Sequence, residues 1–227
     1  MLSIGGTEAL GDIGDAGVQA LARAIARGHL TQMKGLELYG TNVGDAGVQA
    51  LARAIARGHL PRLDLLDLDF TEVTDAGVQA LADAIDCGHL TQLGWLFLSC
   101  SQVGDAGVRA LAAVAARGHL THLSALVLDG TQVGEVGVQA LADAFARGHL
   151  RRLYFLQLDN TQVRSISSEV LNSYDPRQIF AALRGVPVPV ARIVFVGTGN
   201  VGKSSLCERC FRDTVIPKSH PRNQTPD

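Results

Sequence analysis

The chain has 227 residues, 47% of them hydrophobic, and a formal net charge of −2. So balanced a charge excludes the polybasic field that nucleic acid binding needs, and no basic arm or acidic tail is present. No apolar run is long enough to span a bilayer, and the first residues, MLSIGGTEALGDIGD, lack the basic and apolar regions of a signal peptide. The four cysteines (Cys87, Cys100, Cys207, Cys210) are too few and scattered for a disulfide scaffold, so a reducing, cytoplasmic setting is expected.

The first 164 residues repeat. GDAGVQALARAIARGHL occurs at 14–30 and recurs unchanged at 44–60, with variants starting at Thr74, Gly104 and Gly134, a constant step of 30 residues. A fixed period of this size implies a solenoid, in which each unit buries its apolar face only against its neighbours. Between these stretches lie short pieces such as LDLLDLDFTEV and LGWLFLSCSQV. Leu66 and Leu68 are two apart, as on one side of a strand, whereas Val48, Leu51 and Ile55 share one face of a helix. Asp45 is placed to N-cap that helix and Gly58 to close it in a left-handed conformation. Each repeat therefore reads as strand, turn, helix, turn.

The spacing of Leu60, Leu63, Leu66 and Leu68, repeated at Leu90, Leu93, Leu96 and Leu98, resembles the leucine-rich repeat family. The long repeat with a full helix is similar to the ribonuclease-inhibitor type. One position departs. Where the family has Asn, this chain has Thr41, Thr71, Ser101, Thr131 and Thr161, whose hydroxyls can each donate to one carbonyl but lack an amide's two donors. A weaker turn ladder is expected. At the start, the 30-residue step places Gly6 and Glu8 where leucines belong, so that end should fray or follow further chain.

Side chains alternate along a strand, so the residues flanking these leucines should face the concave side. They form a mixed surface of Tyr39, Leu65, Trp95, Phe97 and Phe155 with an acidic edge of Asp67, Asp69, Asp129 and Asp159. Large apolar anchors with a polar rim are what protein interfaces use, and the expected partner is a basic, partly apolar protein segment. The recurrent His29, His59, His89, His119 and His149 are expected to serve helix ends rather than a metal.

The period stops after Val163. Residues 165–187 read as a linker carrying a short helix that Asp175-Pro176 opens and Gly185 ends. An apolar strand-like run (Val190, Ile193–Val196) then leads into Gly197-Thr198-Gly199-Asn200-Val201-Gly202-Lys203-Ser204, followed by Ser205 and a helical pattern. This is G-x-x-x-x-G-K-S between strand and helix, the context of a phosphate-binding loop. In it glycine amides turn toward an anion, Lys203 reaches the outer phosphates and Ser204 ligates Mg²⁺. Cys207 and Cys210 fall on the following helix and read as small buried hydrophobes rather than a redox or zinc pair.

Gly199–Leu206 resembles the loop of Ras-like GTPases. Repeats, then a helix-bearing linker, then such a loop is similar to the Roco proteins, whose GTPase domain is called Roc. Innate immune NTPases place their repeats after the nucleotide domain. The resemblance implies GTP or GDP with Mg²⁺ as ligands, residues 188–227 as the opening of a Roc-like domain, and Thr225 as a candidate switch threonine. Within the 24 residues after Lys203 there is no D-x-x-G, no guanine-reading N/T-K-x-D and no dimerisation domain. The chain alone is therefore expected to be a weak or inactive GTPase. The alternatives are a non-enzymatic repeat module with a vestigial loop, or an ATPase or kinase loop. The expected fold class is α/β: a repeat solenoid followed by the incomplete start of a P-loop domain.

Overall fold

The computed structural model describes residues 1–3 and 14–185. Six parallel strands lie in one sheet in chain order: β1 (Leu2–Ser3), β2 (Gly35–Glu37), β3 (Leu65–Asp67), β4 (Trp95–Phe97), β5 (Ala125–Val127) and β6 (Phe155–Gln157). Between them run α1 (Asp15–Ala26), α2 (Asp45–Ile55), α3 (Asp75–Asp86), α4 (Asp105–Ala116) and α5 (Glu135–Ala146). The register follows the 30-residue step from Gly35 through Leu65, Trp95 and Ala125 to Phe155.

Each repeat contributes one layer of core. In the third, Leu60, Leu63, Leu66, Leu68, Val73, Val78, Leu81 and Ile85 are all fully buried. Two-residue spacing on the strand and three- or four-residue spacing on the helix turn these side chains toward each other. Removing one such leucine would forfeit its burial and leave a cavity, costing about 2–5 kcal/mol.

The helices start differently from the sequence expectation. Asp45 does not cap its own helix: Gly44 is the N-cap residue and Asp45 the first helical residue. Its carboxylate instead accepts from the next repeat, where Thr74 N and Gly77 N donate to Oδ1 at 2.9 and 2.8 Å and the Thr74 hydroxyl donates to Oδ2 at 2.6 Å. Asp15, Asp75 and Asp105 do the same for Gly44 and Gly47, Gly104 and Gly107, and Gly134 and Gly137. Each acid thus satisfies two of the orphan amides that begin the following helix. The recurrent glycine inside each helix makes room for it, since a Cβ on Gly77 would lie 2.6 Å from Asp45 Oδ1.

The turn hydroxyls behave as their single donor allows. Those of Thr41, Thr71, Ser101, Thr131 and Thr161 are buried and donate to Leu38, Leu68, Leu98, Leu128 and Leu158 O at 2.6–2.7 Å, each within its own repeat. Bonds between repeats on this side come from the backbone, as in Glu72 N to Val43 O and Gln102 N to Val73 O. At the other helix end Gly58 has φ +79°, and the amides of Gly58 and His59 donate to Ile55 O and Ala54 O. That is the Schellman closure, so the histidine position takes part through its backbone amide.

Both ends of the array depart from the 30-residue rule. Leu2 lies opposite Leu36, a separation of 34 residues, and packs against the core. Gly6 and Glu8, which the step would assign to that layer, lie outside the described residues. At the other end, residues read as a linker cover the last repeat. Ile166, Val170, Leu171, Ile179 and Phe180 join the core from α6 (Ser168–Leu171), α7 (Pro176–Leu183) and the turn before them, and the Phe180 ring lies 5.2 Å from that of Phe145. Asp175 accepts from Arg177 N at 2.9 Å as the cap of α7. Leu156 N donates to Tyr174 O, so the edge strand β6 finds a partner there. The ladder of acids adapts too: Glu135, one methylene longer, accepts from Arg164 N and Ser165 N, where no further repeat helix begins.

Candidate functional site: the sheet face

Strand residues alternate, so while Leu36, Leu66, Leu96, Leu126 and Leu156 face the helices, their neighbours form the opposite face. Its rows are in the expected register. Leu65, Trp95, Asp67, Phe97, Asp69 and Asp159 are half-buried, and Tyr39 is exposed. Phe155 and Asp129, expected as part of an accessible surface, are instead buried, at 5% exposure each. The Phe155 ring stacks on Tyr174 at 5.3 Å, and Asp129 accepts from Asn160 Nδ2 at 3.0 Å. The accessible mixed surface therefore centres on β2, β3 and β4.

Aromatic rings organise this face. Trp95 stacks with Phe97 at 6.3 Å and meets Tyr154 edge-on at 6.5 Å, and Tyr39 meets Phe70 edge-on at 5.3 Å. Beside them stand two carboxylates. Asp67 accepts from Asp69 N, and Asp69 from Ser99 N, which fixes both side chains along the C-terminal ends of the strands. Burial raises the Asp67 carboxyl to about 7, with Asp69 and Glu37 adding repulsion against the Asp69 amide's pull. Burial likewise raises Asp69 to about 6, opposed by the bonds from Ser99 and reinforced by Asp129. Among the described residues no cation forms an ion pair with either acid.

Sequence reasoning missed two features. Phe70 is 52% exposed and has φ +56°, in a turn slot that Gly40 and Gly130 also occupy with positive φ. A basic edge of Lys34, Arg62, His122 and Arg152 lines a groove at the N-terminal ends of the strands, next to Asp64. The Asp64 carboxyl is raised by burial, against the lowering pull of the Gly94 amide, Lys34 and His122. Aligning the repeats column by column, rather than only the strand residues, would have exposed both. The phosphate-loop residues Gly197–Ser205 and Thr225 lie outside the described residues, as do Cys207 and Cys210. No helix among the described residues is long and apolar enough to cross a membrane.

Residues 62–82 and 119–142, which span parts of these strand–helix units, match the family model of the leucine-rich repeat. The array's parallel strand–helix units fit the leucine-rich repeat that these two segments match. No curated protein sequence matches the chain. Among solved structures, it is similar to an internalin from Listeria monocytogenes str. 4b F2365, at 20% identity and a TM-score of 0.36. That similarity covers 71% of this chain, which spans about half (48%) of the internalin chain.

Proposed function

We propose that the repeat array is a protein-interaction module whose sheet face takes a basic, partly apolar protein segment. The observation that carries this reading is the pairing of half-buried Leu65, Trp95 and Phe97 with half-buried Asp67 and Asp69. Apolar and aromatic groups set among polar neighbours supply most of the energy at interfaces. Carboxylates whose charge is disfavoured by burial gain most from a cation that arrives with a partner. The match to leucine-rich repeats supports the same reading at the level of class. Peptides selected from a random display library on the intact chain test it. Binders should lose about tenfold or more affinity with Phe97→Ala or with Asp67→Asn/Asp69→Asn, the size of one good contact. Lys203→Ala should leave them unchanged. Binders indifferent to the sheet-face substitutions would sink the reading.

A second reading attaches to Gly197–Ser204, whose G-x-x-x-x-G-K-S sequence is a specific observation in its own right. In it the chain carries the opening of a Roc-type GTPase unit, with Lys203 and Ser204 toward phosphate and Mg²⁺. Weak, Lys203-dependent retention of labelled GTP, displaced by GTP and not by ATP, supports it. Displacement by ATP alone would favour the ATPase or kinase loop, and the absence of any Lys203-dependent nucleotide binding would leave the interaction module standing by itself.

A further inference from the structure

The sheet face has two charged edges of opposite sign, and a basic segment would engage only one of them. At the N-terminal ends of the strands, a groove of about 650 Å³ is lined by Lys34, Arg62, Asp64, His122 and Arg152, among others. Its cations outnumber its one carboxylate. Among the described residues, the ion pairs of basic side chains involve Arg117, His119 and Arg184, so Lys34, Arg62 and Arg152 are in none. At the C-terminal ends, Glu37, Asp67 and Asp69 stand beside the Tyr39–Phe70 ring pair.

Phe70 adds an independent observation. The same turn slot holds Gly40, Cys100, Gly130 and Asn160, all at positive φ, and Phe70 is the bulkiest side chain placed there. Its ring is 52% exposed, so the strain is not offset by full burial. An exposed aromatic pair next to carboxylates suits a cation, which the ring faces attract while the acids neutralise it.

We propose that this face takes an amphoteric protein segment in a fixed orientation. The segment's acidic group sits at Lys34, Arg62 and Arg152. Its cationic group sits at Asp67, Asp69, Tyr39 and Phe70, with apolar side chains crossing Leu65 and Phe97 between them. The inference rests on the interaction-surface reading and adds the charge order of the partner. Positions 34 and 39 mark the two edges, and at roughly 3.3 Å per residue they are ~17 Å apart along a strand. An extended segment following the strands therefore needs its acidic and basic groups about five positions apart, with about four residues between them. The opposite orientation would bring like charges together at both edges, which costs affinity.

The test uses peptides selected from a random library on the intact chain and retained only if Phe97→Ala weakens them. Neutralising the peptide acid (Glu→Gln) should couple with Lys34→Gln/Arg62→Gln, and neutralising its base (Arg→Gln) with Asp67→Asn/Asp69→Asn. Each matched pair should couple by about fivefold or more, and the crossed pairs by less than about twofold. Phe70→Gly should weaken the cation-bearing peptides several-fold while raising thermal stability. Phe97-dependent binders whose acid is dispensable, or equal coupling in matched and crossed pairs, would overturn the charge order and leave the interaction surface intact. If no Phe97-dependent peptide is selected, both fall together.

Discussion

The helix-start row and the sheet-face row recur at the same 30-residue step, yet one hardly varies and the other hardly repeats. Asp15, Asp45, Asp75, Asp105 and Glu135 each bond to amides of the segment that follows. Gly35, Leu65, Trp95, Ala125 and Phe155 share one register but range in size from no side chain to an indole. The contrast separates two jobs. A position that satisfies its neighbour's backbone needs an acceptor of fixed reach, whereas one on the sheet face can change without breaking the stack.

The largest expected break in this comparison is Asp75→Ala, which leaves Gly104 N and Gly107 N without their acceptor. Thermal denaturation should show a loss of about 2–3 kcal/mol, against about 1 kcal/mol for Phe97→Ala on the face. Equal losses at the two positions would erase the distinction. Next is Gly107→Ala. The added Cβ would lie 2.8 Å from Asp75 Oδ1 and 3.2 Å from Val78 Cβ, so a loss of roughly 1–2 kcal/mol is expected. In the double variant with Asp75→Ala the two losses should fall short of additive, because both act on one hydrogen bond. Additivity would show that the glycine has a separate role.

Thr131→Val should cost about 1 kcal/mol by removing the donor to Leu128 O. A neutral result would mean that the turn ladder holds through its backbone bonds alone.

The smallest effects come from pH, and the two rows should differ in sign. Asp67 and Asp69 are raised in the folded chain to about 7 and about 6, so the native state holds protons that the unfolded chain has released. Their contribution is fully present below the unfolded value of 3.8 and is lost as pH rises through about 6 to 7. Glu135 is lowered, chiefly by the Arg164 amide, so its contribution is present above 4.5 and is lost as pH falls through its folded value. Asp67→Asn should therefore raise the melting temperature near pH 8 by a degree or two and flatten the profile between about pH 5 and 8. Glu135→Gln should lower stability above about pH 4.5 and converge with the parent chain toward acid. A steeper neutral-pH profile in Asp67→Asn would refute the assignment.

Much of this architecture is legible in the residue spacing. The leucine columns, the left-handed glycines, the single-donor turn hydroxyls and the cap of α7 follow from spacing and residue type, and so does the register of the face. The target of each helix-start acid is not legible there, because its acceptor geometry points across a repeat boundary that a single repeat does not contain. Nor is the packing of residues 165–185, where a polar opening, Ser165–Ser168, hides Val170 and Leu171, which cover the last layer.

The sequence by itself determined the period, the class of repeat and which side chains lie in which row, because these depend on local spacing that every copy restates. Only the tertiary structure decided which members of a row remain accessible. Phe155 and Asp129 occupy the same rows as Trp95 and Asp69 yet are buried. Burial depends on what neighbouring repeats and the C-terminal segment bring within a few ångströms. A column of letters does not carry that information.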